Sequence, residues 1–366
     1  MPAQTTDADP PEIEGDAAAG VTGPSPVKIG FRVVMLGVTG VSLYLLAPTL
    51  INVFSSTERL DEIKPWWLAA MVALQAGSFW CMWWVQALSI GVKGWFAIAT
   101  SQLGGNAFGR VVPGGAAAAG ALQYKMLVDA GVPGAKVASG LTASSLLTFA
   151  MLMALPVFAL PGIFAGTPVN DGLLEALWIG LALFVLIFAV GAVLLLVDGP
   201  LIALGRLIEA LRNRFRRHGP PTTGLPERLV RERDLIRTTL GRRWWEALLG
   251  TVGKWGLDYL TLLAALTAVG ARPSPSLTLL AYSLSQILGQ IPFTPGGLGF
   301  VEAGLTGTLA LAGVNGADAV LATLAYRLVS YWLPLPAGLV AVLLHRRRYG
   351  RDAVKEVEEA QAAPRP

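Results

Sequence analysis

The chain has 366 residues, of which 54% are hydrophobic and 14% charged, with a formal net charge of +4. Soluble domains carry about 25% charged residues, so this composition, with a mean hydropathy of +0.57, excludes an ordinary soluble protein and points to a polytopic membrane protein. The positive charge is concentrated in a few loops, which reads as an orientation signal and excludes a nucleic-acid footprint. One cysteine, Cys81, excludes an intrachain disulfide and a cysteine-based metal site.

Residues 1–27 are rich in Pro, Ala and Gly and carry Asp7, Asp9, Glu12, Glu14 and Asp16. They read as a disordered acidic tail and not as a signal peptide, whose n-region would be basic. Lys28 and Arg32 flank a first span over about 29–51. A second span over about 66–90 opens with Trp66 and Trp67, placed as interface anchors. A broken apolar segment follows at about 95–130, then spans at about 137–160 and 173–197. Residues 198–243 differ, with 11 Arg and five acidic residues, and suggest an amphipathic helix on an anionic leaflet. A span at about 244–269 leads to a second broken segment, about 277–313. The last span, about 317–344, ends in His345-Arg346-Arg347-Arg348, and 346–366 form a polar C-terminal tail. His218 and His345 both stand in arginine-rich sequence, which places them against solvent or headgroups.

The broken segments organise the rest. SQILGQIPFTPGGLGFVEAG (285–304) contains Pro292, Pro295, Gly296 and Gly297, none of which continues a helix without freeing backbone groups. In hydrocarbon such groups survive only buried in protein or lining a wet cavity. The stretch therefore reads as two half-helices meeting at a turn, with the second starting near Gly297 and its N–H groups facing the turn. An earlier copy, 101–124, also starts with Ser-Gln and reaches Pro-Gly-Gly at Pro113, Gly114 and Gly115. From each Pro the chain runs the same distance to a matching hexapeptide, AGVPGA at 130–135 and AGVNGA at 312–317. The expected fold is all-α: a membrane helical bundle of about six full spans with two re-entrant hairpins in an inverted repeat. The membrane part is 28–345, with the basic loop 198–243 inside it. Loop charge puts that loop, the HRRR end and both termini in the cytoplasm. Broken hydrophobic segments at corresponding places in two halves point to a transporter's binding site.

Asn106, Arg110, Pro113, Gly114 and Gly115, as N-x-x-x-R-x-x-P-G-G, and Pro292 to Glu302, as P-x-T-P-G-G-L-G-x-x-E, resemble the lysylphosphatidylglycerol synthase transmembrane-domain family, also described as flippase-like. Tyr326-Arg327, Tyr331-Trp332 and Pro334 fit the same resemblance, which spans about residues 30–345. It implies a multi-pass protein of a bacterial inner membrane that moves or modifies anionic phospholipids or polyprenyl-phosphate-linked lipids. Only residues 345–366 follow the last span, too few for the soluble aminoacyltransferase domain of the full-length synthases, so the synthase activity is not expected here.

Several residues are candidates for binding such a lipid, each with a structural reading beside the functional one. Arg110 suits bidentate contact with phosphate, or its side chain runs back to the cytoplasmic surface. Arg327 lies well inside its span and contacts either the headgroup or Glu302. Glu302 is a proton-coupling carboxylate or that partner. Lys254 and Asp258, four apart on one helix face, form a coupling pair or a structural ion pair. Gln102, Asn106, Gln286, Gln290 and Thr294 line a polar path or bond the backbone freed at the helix breaks; Tyr326 adjoins Arg327. Pro113, Gly114, Gly115, Pro295, Gly296 and Gly297 shape the turns. No nucleophile–base pair stands out, and Gly297-x-Gly299-x-x-Glu302 lacks the last glycine and the strand of a nucleotide loop. The expectation is a flippase-like protein without enzymatic activity or cofactor. The alternative is a non-transporting membrane partner of an envelope glycosyltransferase or lipid-modifying enzyme, engaged through the basic loop.

Overall fold

A computed structural model describes residues 64–112, 115–166, 169, 171–215, 223–290 and 295–362. The acidic tail, the span expected at 29–51, and Pro113, Gly114, Pro292 and Thr294 lie outside the described residues.

All regular structure among the described residues is helical. Helix α1 (Pro65–Ile90) has proline in its first turn, where no N–H is needed, and ends at Gly91, whose φ of 72° gives a left-handed cap. Helices α2 (Trp95–Val111) and α3 (Gly115–Asp129) form a hairpin. Helix α4 (Gly134–Ala154) runs through a 3-10 turn into α5 (Leu160–Phe164), and α6 (Asp171–Leu196) follows. The basic segment forms two helices, α7 (Asp198–Phe215) and α8 (Leu225–Leu240), pinned by an ion pair of 2.6 Å between Arg233 and Asp198. Helix α9 (Trp244–Ala268) precedes a second hairpin of α10 (Pro275–Leu288) and α11 (Phe300–Leu311). Helix α12 (Gly316–Arg327) passes through a π-helical turn (Leu328–Trp332) into α13 (Pro334–Ala362).

Four described helical stretches are long and apolar enough to cross a membrane: Pro65–Ile90, Gly134–Phe164, Leu177–Leu194 and Gly316–Gly350. Helix α9 has the length, 25 residues, but with Lys254 and Asp258 at its middle it is not among them. The arms of the two hairpins have 17, 15, 14 and 12 residues, short of the roughly 20 that a single crossing requires.

The two copies match in local structure. Ser101 and Ser285 each turn their hydroxyls onto the carbonyl three residues back, at 3.1 and 2.8 Å. The hexapeptides close their hairpins identically: Gly131 and Gly313 have φ of 83° and 89°, and the next valine N–H returns to Leu127 or Leu309. Packing is reciprocal. The leading helices α1 and α9 run antiparallel, with Gly77 against Leu257 and Gly250 against Val85. The first hairpin's arm α2 lies on α13, the helix after the second hairpin, and α10 lies on the α4–α5 helix after the first. Glycines allow these close approaches, as at Gly140 against Ile90. Where α1, α4, α9, α10, α11 and α12 meet they bury Met71, Leu152, Leu262, Tyr282, Leu305 and Tyr326. Apolar side chains on α6, such as Trp178 and Phe188, are turned outward instead, as a lipid-facing helix requires.

Two expectations need correction. The second half-helix begins at Phe300, not near Gly297, because Gly296, Gly297 and Gly299 all have positive φ. His345 is 2% exposed, not solvated. Helix α13 continues past the expected end of the span and packs on the first hairpin, where His345 meets the Thr100 hydroxyl at 2.7 Å and the Met126 carbonyl at 2.8 Å.

Candidate functional site

A polar cavity of about 280 Å³ opens where the two hairpins approach each other. Its wall takes Gln75, Ser78, Phe79 and Met82 from α1, Thr148 from α4, and Lys254, Trp255 and Asp258 from α9. Tyr326 and Arg327 come from α12, with Ser330 from the π turn. From the first hairpin come Gln102, Asn106 and Arg110, and from the second Gln286 and Gln290. Residues more than 200 positions apart thus share one wall.

Nine of the candidates read from the sequence line this cavity: Gln102, Asn106, Arg110, Lys254, Asp258, Gln286, Gln290, Tyr326 and Arg327. Glu302 stands behind the wall. One of its carboxylate oxygens accepts from Arg327 Nε at 2.7 Å, and the other accepts from the Gly299 N–H at 2.7 Å, capping α11. Gly115 opens α3 with φ 32°, and Pro295, Gly296 and Gly297 form the second turn, so these residues serve as backbone geometry. Arg110 does not run back along its own hairpin. It reaches the last helix, where its Nη1 donates to the Tyr331 carbonyl.

The expected ion pair between Lys254 and Asp258 is absent. Asp258 accepts from the Tyr282 hydroxyl and, at 2.9 Å, from that of Tyr326, to which Gln286 donates at 2.9 Å. The Lys254 ammonium lies on the Trp255 ring, and no acid among the described residues forms a salt bridge with it. Sequence spacing places two residues on one face but does not decide which partner a neighbouring helix supplies.

Among the described residues the wall therefore presents three cations, Arg110, Lys254 and Arg327, and one carboxylate already engaged by two hydroxyls. Three buried polar atoms of lining residues have no hydrogen-bond partner among the described residues: Gln75 Oε1, Asn106 Oδ1 and Arg327 Nη2. Buried polar groups are nearly always bonded, so these atoms are suited to a polar ligand or to water. Gln75, Ser78 and Thr148 were not singled out in the sequence because isolated polar residues in an apolar run carry no motif. Such a wall can take a desolvated anion, supply bidentate contacts from guanidinium and exchange amide hydrogen bonds.

A UPF0104 membrane protein of Methanothermobacter thermautotrophicus is 29% identical over 154 residues, 40% of this chain and 44% of that protein. A UPF0104 membrane protein of Pyrococcus horikoshii is 31% identical over 106 residues, 29% of this chain and 32% of the relative. The matches thus span less than half the length of these curated relatives. Residues 32–338 match the family described as the lysylphosphatidylglycerol synthase TM region. The match covers both hairpins, the described helices up to the start of α13 and the whole cavity wall, and the chain belongs to that family.

Proposed function

We propose that this protein binds the headgroup of an anionic lipid or lipid-linked carrier in the cavity and moves it across the bacterial inner membrane, as a carrier and not an enzyme. The observation that carries the reading is the cavity itself: three cations and several amides gathered on one wall from the hairpins and the helices that pack against them. Moving a phosphate-sized ion into hydrocarbon costs on the order of 20 kcal/mol in the idealised limit. A wall of fixed guanidinium, ammonium and amide groups offsets much of that barrier. Asp258, the one carboxylate in the wall, is held by two tyrosines, which suits a structural or electrostatic role better than catalysis.

The short hairpin arms and the antiparallel leading helices support re-entrant hairpins in an inverted arrangement, the architecture in which a midplane site is reached from either side. In this reading both termini and the basic α7–α8 segment face the cytoplasm. In a Cys81→Ser background, Asn315→Cys should react with an impermeant thiol reagent from outside, and Asn213→Cys only after lysis. Labelling of position 213 in intact cells would reverse the orientation.

The functional test is reconstitution with acyl-labelled phosphatidylglycerol, phosphatidate, phosphatidylserine and phosphatidylcholine, following loss of signal when the outer leaflet is quenched. Anionic lipids should cross at least about tenfold faster than in protein-free vesicles, and Arg110→Lys should remove most of that gain, because a point charge does not reproduce the bidentate fork. Rates equal to empty vesicles for every lipid would reject transport and favour a non-transporting membrane partner.

A further inference from the structure

Tyr331 stands behind the cavity wall, 3% exposed, and three parts of the site converge on it. The guanidinium carbon of Arg110 lies 4.8 Å from the centre of its ring, and that of Arg327 lies 4.3 Å away. Each side chain also bonds the other's backbone: Arg110 Nη1 donates to the Tyr331 carbonyl, and the Tyr331 hydroxyl donates to the Arg110 carbonyl at 3.3 Å. The turn of the second hairpin closes on the same ring, since a Cβ at Gly296 would fall 2.9 Å from Tyr331 Cζ. Tyr331 itself lies in the π turn Leu328–Trp332. Such turns are frequent at functional sites, where the wider turn shifts a side chain out of helical register.

Two desolvated guanidiniums repel each other. An aromatic ring attracts both through the negative charge of its face, and the attraction strengthens when water is excluded. The ring therefore offsets the repulsion and limits where each charge can sit. Arg327 gives its Nε to Glu302, and its buried Nη2 has no hydrogen-bond partner among the described residues. Arg110 spends one nitrogen on a neutral carbonyl, a weaker acceptor than an ionised phosphate oxygen.

We propose that Tyr331 is a positioning residue that holds Arg110 and Arg327 as one phosphate-gripping pair and registers the turn of the second hairpin against them. The proposal rests on the anion-carrier reading and extends it, assigning both guanidiniums to one phosphate. Gly296 is glycine on this account because any side chain there displaces the ring that sets the pair.

The test is binding of dihexanoyl phosphatidic acid to the detergent-purified full chain by calorimetry, with dihexanoyl phosphatidylcholine as the zwitterionic reference. Tyr331→Phe keeps the ring face and should stay within about threefold of wild type, whereas Tyr331→Met fills the space without a ring and should lose at least about tenfold. The loss should fall on phosphatidate and spare phosphatidylcholine, a selectivity that a loosened fold would not produce. Undiminished phosphatidate affinity in a folded Tyr331→Met protein would overturn the proposal and leave the carrier reading standing. No phosphatidate binding by wild type would overturn both. If Tyr331→Met does not accumulate, Tyr331→Trp decides, since an indole holds cations at least as well as a phenol. Retained affinity supports the positioning role, and a folded Trp variant weakened tenfold rejects it.

Discussion

Arg327→Gln and Glu302→Gln should each destabilise the protein, and the double variant should recover most of the loss. The pair is close and buried, with Nε to Oε1 at 2.7 Å and side chains 9% and 14% exposed. Removing one member of a buried pair strands the other charge, typically at about 3–5 kcal/mol. The two single variants should not be equal. Glu302 without Arg327 still accepts from the Gly299 N–H and lies at the start of α11, where the helix dipole favours an anion. Arg327 without Glu302 keeps only the Tyr331 ring among the described contacts. Glu302→Gln should therefore lower the melting temperature in detergent more than Arg327→Gln, although the amide can still cap Gly299. The double variant then separates structure from function. Stable protein that moves no lipid supports a direct role for Arg327 in the cavity. Stable protein with wild-type lipid movement would remove both residues from the mechanism.

Two local signals were legible in the chain. Pro-Gly-Gly marked breaks that no single span tolerates, and the repeated Ala-Gly-Val hexapeptide marked where each hairpin closes. Both are backbone effects written in a few residues, and Gly131 and Gly313 adopt the left-handed φ that only glycine takes at no steric cost. Gln102 and Gln286, each next to the repeated serine, fall on one cavity wall from opposite hairpins. Long-range choices were not legible. Asp258 takes its hydroxyl partners from Tyr282 and Tyr326, which lie 24 and 68 residues away. His345 looks solvated beside three arginines, yet its partners Thr100 and Met126 are more than 200 residues distant. Spacing along one helix could not show either pairing, because another helix supplies the partner. The start of α11 was misplaced for a subtler reason: positive φ persists from the turn at Gly296 and Gly297 through Gly299, so the chain unwinds further than the proline alone requires.

A single methyl group at Gly109 should be more damaging than one at Gly120, although both glycines lie on the arms of the first hairpin. A Cβ at Gly109 would fall 2.6 Å from the Gly115 carbonyl oxygen and 2.7 Å from Ala119 Cβ, whereas one at Gly120 would meet nothing within 4 Å. The obstruction at Gly109 is backbone and a methyl, neither of which can rotate away, and Gly115 is held at φ 32° by the turn. Overpacking of this kind costs about 1–3 kcal/mol. It also pries the arms apart at the residue preceding Arg110, whose guanidinium must cross to the last helix. Gly109→Ala should therefore lower both the melting temperature and the rate of anionic-lipid movement, by about tenfold or more if the arms separate enough to break the Arg110 contacts. Gly120→Ala should leave movement unchanged and stability equal or higher, since alanine is favoured over glycine in a helix by up to about 1 kcal/mol. The measurement is a detergent melting curve and a vesicle assay on both variants side by side. Equal behaviour of the two would show that the hairpin arms do not meet at Gly109, and would remove the geometric basis for placing Arg110 in the cavity.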